Sequence, residues 1–189
     1  MKEKVDVYKE YCAGCGLCHS AEAVQYEYQN GFFKPELHQN NFSFCEGVCP
    51  ASGNWLKDID PKKKWGKYIN ACVTWSSDPQ LRFSASSGGT ITVISEYLLN
   101  KKLVDEIIHT CVSKQSQIKT EYTKSKSVDE LRDKTGSRYT VSSPLIELLQ
   151  CISPEKKYAV VGKPCDILVL RRYLDAHQEL YKNIIYLIS

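Results

Sequence analysis

Tyr158-Ala159-Val160-Val161-Gly162-Lys163-Pro164-Cys165-Asp166 begins as a short apolar run, turns through Gly-Lys-Pro and passes into residues 165–174, whose apolar positions have helical spacing. A short buried strand, a tight turn and a helix in that order form the repeating unit of a parallel sheet. In such a sheet the turn falls at the carboxyl edge of the strand, where open α/β folds bind ligands. Working outward, residues 184–188 (Ile-Ile-Tyr-Leu-Ile) read as the next strand, 104–112 as an earlier one, and 68–75 as the first. Residues 90–99 read as a helix despite their β-branched content. Ser127 followed three residues later by Glu130 has the spacing of a capping box. Ser143-Pro144 before Leu145, Ile146, Leu148 and Leu149 opens a further helix. The expected fold class is α/β, with a mostly parallel or mixed sheet and flanking helices. A strand run that ends one residue before Ser189 is normally followed by a crossover, so the sequence reads as the N-terminal portion of a longer chain.

Residues 1–66 have a different texture, rich in Cys, aromatic residues and turn formers and without a sustained period. A bound group would supply the core that such a segment lacks, so the chain divides into 1–66, a small irregular segment, and 67–189, the α/β domain. Of the nine cysteines, Cys12, Cys15 and Cys18 stand at three-residue intervals in a Gly-containing loop. Three thiols so spaced wrap one iron-sulfur cubane, the glycines letting backbone N–H groups approach the sulfides. In the bacterial ferredoxin run a fourth Cys followed by Pro would stand at position 22, which here is Glu22. Cys49-Pro50 carries that Cys-Pro signature and is the expected fourth ligand, with Cys45 as the rival donor. Zinc sites more often present paired Cys-x2-Cys knuckles than a three-cysteine run. His19 and His38 are read as loop histidines.

With 25 Lys+Arg against 22 Asp+Glu and 42% hydrophobic residues, the chain has matter for a core and no charge excess. Disorder, collagen and coiled coil are excluded, and no Lys/Arg stripe suggests nucleic acid. The run Lys62-Lys63-Lys64 is read as a solvated loop. No stretch has membrane-spanning length and none resembles a signal peptide, so a cytoplasmic protein with reduced thiols, no nucleic acid and no membrane is expected.

Two further loops share the carboxyl-edge logic. Ser86-Ser87-Gly88-Gly89-Thr90 precedes a helix, where small residues leave free N–H groups for a phosphate, and a capped turn is the plain alternative. Gly136-Ser137-Arg138-Tyr139 offers a guanidinium and a phenol, with a solvated turn as its default. Cys165 stands at a helix start beside Lys163, two features that lower a thiol pKa, and is read as either a reactive or a buried structural cysteine.

Taken in order, Cys12-Ala13-Gly14-Cys15-Gly16-Leu17-Cys18, Gly31-Phe32-Phe33-Lys34-Pro35, Val48-Cys49-Pro50 and the three loops resemble the coenzyme F-420 hydrogenase/dehydrogenase beta-subunit family of iron-sulfur flavoproteins. The resemblance implies a 4Fe-4S cluster on Cys12, Cys15, Cys18 and Cys49 beside a non-covalent FAD. It places Ser86, Ser87, Gly88, Gly89 and Thr90 near the flavin, with Ser137, Arg138, Tyr139, Lys163, Pro164 and Cys165 lining its pocket. It also implies an oxidoreductase, with electrons passed to a deazaflavin, a ferredoxin-like partner or another small acceptor. Family members commonly have Lys where this chain has Arg138, and many carry a second cluster for which this chain has no ligands. The rival classes are a non-enzymatic cluster- or zinc-binding interaction module and a thiol enzyme at Cys165.

Overall fold

The computed structural model describes residues 8, 10–29, 32–36, 42–53, 68–116 and 119–189. Its centre is a mixed four-stranded sheet in the order β4-β3-β5-β6, with β3 Glu106–Val112, β4 Thr120–Ser125, β5 Tyr158–Val161 and β6 Ile184–Ile188. β5 runs parallel to both β3 and β6, and β4 pairs antiparallel on the outer side of β3.

Side chains on the inner strands alternate between two cores, as the two-residue period of a strand requires. Ile107 and Ala159 point to one side with Leu98, Val104 and Leu131, beneath α4 (Thr90–Asn100) and α5 (Val128–Arg132). Ile108, Tyr158 and Val160 point to the other, against Val169, Leu170 and Leu174 of α7 (Pro164–Ala176) and Leu148 of α6 (Leu148–Cys151). Three of the four residues of β5 are fully buried, so its brevity and apolar content have one cause. Ser127 caps α5, accepting from Glu130 N–H at 3.2 Å, while the Glu130 carboxylate reaches one residue beyond the cap to accept from Lys126 N–H at 2.9 Å, so the expected box is formed only in its first half.

The described residues before position 54 fold onto this second core. α1 (Leu17–Ser20), the antiparallel ribbon of β1 (Gln25–Gln29) and β2 (Phe32–Glu36), and α2 (Phe42–Val48) succeed one another there. Leu17 and Val48 share the core with Tyr158 and Leu170. Backbone bonds brace the cysteine loop against residues 143–150: Leu145 N–H donates to Cys15 O at 3.0 Å, Ser143 Oγ donates to Gly14 O at 2.7 Å, and Leu149 N–H donates to Ser20 Oγ at 2.8 Å. The approach is so close that a Cβ on Gly16, whose φ is 87°, would lie 2.7 Å from Ile146 Cα.

Two elements differ from expectation. Residues 68–75 form no strand; they are exposed throughout, held by Ser76 N–H on Gly88 O at 2.7 Å and by Thr74 on Thr90. Their β-propensity has no neighbouring strand to act on, and propensity of this kind expresses fit to a pleated, half-buried surface. The helix after Ser143-Pro144 begins as turns and becomes regular only over Leu148–Cys151. Gly31, His38, Lys62-Lys63-Lys64 and the boundary between 66 and 67 lie outside the described residues. Among the described residues no helix is long and apolar enough to cross a membrane.

Candidate functional site

Cys12, Cys15, Cys18, Cys45, Cys49 and Cys165 line one cavity, roofed by Tyr26 and Phe44 and floored by Val169. Three pieces of local structure bring them there. The loop before α1 turns through Gly14 (φ 68°) and Gly16, presenting Cys12, Cys15 and Cys18 inward. α2 carries Cys45 at its middle, and Cys49 follows in extended conformation before the Pro50 turn, so the Cys-Pro pair directs the chain away after the thiol. The first turn of α7 supplies Cys165.

Burial raises the pKa of Cys15 well above the ordinary thiol value, raises Cys18, and pushes Cys45 up to about 12 and Cys49 up to about 11, with the negative charge of neighbouring thiols adding to each. At neutral pH these thiols are therefore protonated and neutral in the ligand-free protein, and would ionise only against a cationic group. Among the described residues no group of three or more His, Cys, Asp or Glu is arranged to hold a single metal ion. In a cubane each thiolate binds a different iron, so its ligands stand farther apart than those of one ion, and a ring of thiols around a cavity suits it. Gly14 N–H already points at Cys12 Sγ, 3.4 Å away. Donor set, burial and backbone donor fit an iron-sulfur cluster.

Behind α7 lies a cleft of about 370 Å³, a volume within the range of small-molecule sites. The three loops meet here: Ser86, Ser87 and Thr90, then Gly136, Ser137 and Arg138, then Gly162, Lys163 and Pro164 all line it. Ser137 N–H donates to Ser86 Oγ at 2.7 Å, tying two of the loops together. Lys163 bonds Ser142 Oγ and the fully buried Asp166 carboxylate, each at 2.9 Å, while Asp166 also accepts the Lys163 backbone N–H. The Arg138 side chain donates to Thr135 O at 3.0 Å, and its buried Nε has no partner among the described residues. An orphaned guanidinium donor beside two lysines and several hydroxyls fits a phosphate-bearing ligand.

Not every expected residue lines the cleft. Gly88 and Gly89 stand behind it, with Gly88 against Trp75 and Gly89 against Leu81, Ala85 and Ser76. Tyr139 is 96% exposed. Cys165 faces the thiol cavity while its neighbours Pro164 and Asp166 face the cleft, so the two sites share the first turn of α7 as a wall. Burial and the Asp166 charge raise the Cys165 pKa against the pull of Lys163, which favours the buried structural reading of this thiol over the reactive one.

The cleft also holds residues that the sequence reading misses. His109, midway along β3, is held to Ser125 Oγ at 2.8 Å, and Lys134 donates to the same oxygen at 3.3 Å and to Thr123 Oγ1 at 3.1 Å. Burial, seconded by the Lys134 charge, lowers the His109 pKa to about 4. The available signal was a histidine inside an otherwise buried strand run.

Residues 71–150 match the family model of coenzyme F420 hydrogenase/dehydrogenase, beta subunit N-term. An uncharacterized protein of Methanocaldococcus jannaschii is 26% identical over 165 residues, 86% of this chain and 44% of that protein. The F420-dependent formate dehydrogenase subunit beta of the same organism is 32% identical over 120 residues, 62% of this chain and 30% of that subunit. A chain of the F420-reducing [NiFe] hydrogenase complex from Methanosarcina barkeri shares the fold with a TM-score of 0.58 at 21% identity, over 68% of this chain and 45% of that one. The chain thus spans less than half the length of these relatives. Over residues 71–150 the chain is thus similar to the N-terminal part of coenzyme F420 hydrogenase/dehydrogenase beta subunits.

Proposed function

We propose that this chain is the electron-transferring portion of an oxidoreductase. In this reading it holds a 4Fe-4S cluster on Cys12, Cys15, Cys18 and Cys49, and the phosphates of FAD in the cleft. Electrons pass onward to a deazaflavin, a ferredoxin-like partner or another small acceptor. The observation that carries the reading is the shared wall: a ring of buried thiols and a cationic cleft lie on either side of the first turn of α7. When bound, the cluster would supply one-electron and the flavin two-electron chemistry, so a chain holding both can split an electron pair.

The protein's own part is binding, charge and dryness. The cysteine loop holds three of the four ligands, Cys12, Cys15 and Cys18, in place because residues 143–150 brace it, and the turn after α2 supplies Cys49. Lys163, Arg138 and Lys134 favour negative charge in the cleft, and only Asp166 among the carboxylate side chains lining it opposes them. Phe44 and Val169 keep water from the thiols. No side chain is needed as a nucleophile, in agreement with the raised pKa of Cys165.

Anaerobic purification with iron and sulfide analysis tests the cluster half, and close to one cubane per chain is expected. Zinc as the dominant metal, or two cubanes, overturns it. Fluorescence titration with FAD and with riboflavin tests the cleft half: FAD binds more tightly if the cleft takes phosphates, and equal affinity for the two removes the phosphate assignment.

A further inference from the structure

Tyr26 is the second residue of β1, with its ring stacked on Phe33 at 6.1 Å between centroids and met edge-on by His19 at 5.9 Å. Its hydroxyl lies 3.5 Å from Cys18 Sγ and 3.8 Å from Cys12 Sγ, and among the described residues it has no other hydrogen-bond partner. A tyrosine hydroxyl taken out of water normally finds an oxygen or nitrogen partner. Here the ribbon delivers it to two sulfurs. Without metal, the Cys18 thiol donates to the phenol oxygen. A ligating thiolate has no proton to donate, so with Cys12 and Cys18 as ligands the bond must reverse and the phenol becomes the donor. One hydroxyl carries one hydrogen. Cys18 is the nearer sulfur, and Cys12 already has a donor in Gly14 N–H at 3.4 Å, so each sulfur has its own.

We propose that Tyr26 is a positioning residue that directs its phenolic hydrogen at the Cys18 sulfur and thereby raises the reduction potential of the cluster. The inference rests on the reading of Cys12, Cys15 and Cys18 as cluster ligands. Its cause is electrostatic: the reduced cluster is more negative, and a hydrogen bond to a ligating sulfur stabilises that extra charge more than it stabilises the oxidised form. The rings of Phe33 and His19 hold the phenol in direction, so little ordering remains to be done on reduction.

The test compares the full chain with Tyr26→Phe, both prepared anaerobically, with iron and sulfide measured before a spectroscopic redox titration. Equal cluster content is expected, and at a fixed solution potential the ratio of reduced to oxidised cluster falls about tenfold in Tyr26→Phe, a shift of about 59 mV to the negative side for one electron. An unchanged potential in a fully loaded variant overturns the proposal. Should Tyr26→Phe fail to load, 3,5-difluorotyrosine incorporated at position 26 decides: it keeps the ring, donates more strongly and shifts the potential to the positive side. No shift, or a negative one, overturns the proposal. A parent chain without iron overturns the cluster reading itself, and the iron analysis separates that failure from the other.

Discussion

Cys45 and Cys49 both reach the thiol cavity, yet they are held differently. Cys45 is 3% exposed in a pocket with Tyr8 and Val24, on a helix whose direction is fixed before and after it. Cys49 leads out of that helix into Pro50, which removes an N–H that would otherwise need a partner and sets the exit of the chain. Cys49→Ser is expected to give a labile or three-iron cluster with poor soluble yield, and Cys45→Ser to keep the iron content and visible spectrum of the parent. Paired anaerobic spectra with iron analysis check this, and the reverse pattern moves the ligand to Cys45. His109 makes a second residue-scale prediction. Its pKa falls from 6.5 to about 4 on folding, so below pH 6.5 the unfolded chain takes up a proton that the folded chain refuses. Stability is therefore full above pH 6.5 and falls as the pH approaches 4, by about 3 kcal/mol at most from this group. His109→Gln flattens that part of the curve, and urea denaturation at several pH values between 4 and 7 measures it.

The elements differ in how openly the sequence declares them. β5, α4 and α7 were legible because burial on one or both faces leaves a continuous apolar run or a helical stripe. β6 was legible by its apolar run, although it ends the described sheet with Ile185 and Tyr186 exposed. β4 was not: Thr120-Glu121-Tyr122-Thr123-Lys124-Ser125 is an edge strand, and edge strands carry polar and charged residues that discourage further pairing. The ribbon of β1 and β2 was missed for a related reason, since Tyr26 and Tyr28 do alternate but the residues between them are polar. In the site, regular thiol spacing announced Cys12, Cys15 and Cys18, whereas Tyr26, Lys134 and His109 become neighbours of the chemistry only through strand pairing and turns, which local spacing does not encode. The serine-glycine loop shows how a correct motif can have a second physical cause. Ser87, Gly88 and Gly89 all have positive φ just before α4, and Gly89 is buried. Gly89→Val is thus expected to destabilise the ligand-free protein by about 2 kcal/mol through backbone strain, apart from any effect on ligand binding. Thermal melting of the protein without flavin checks it, and an unaltered midpoint would remove the strain argument.

The cysteine segment and the α/β part stand or fall together at the scale of the molecule, because Leu17 and Val48 are buried with Tyr158, Leu170 and Leu174. Anything that binds the folded form alone stabilises the whole of it. Stripping the cluster with a chelator is expected to lower the melting temperature in one step seen alike by far-ultraviolet circular dichroism and by tryptophan fluorescence. A separate early transition would mean that the thiol segment melts as its own unit. The braces of the cysteine loop have one more consequence. Ser143, Leu149 and Gln150 stand 129 or 130 residues beyond the groups they hold. At about 5–20 residues per second of synthesis, the loop leaves the ribosome roughly ten seconds before its supports exist. During that interval the thiols have no cavity to share. In the reading proposed above, iron and sulfide would therefore be taken up only after residues 143–150 have emerged and closed on the loop.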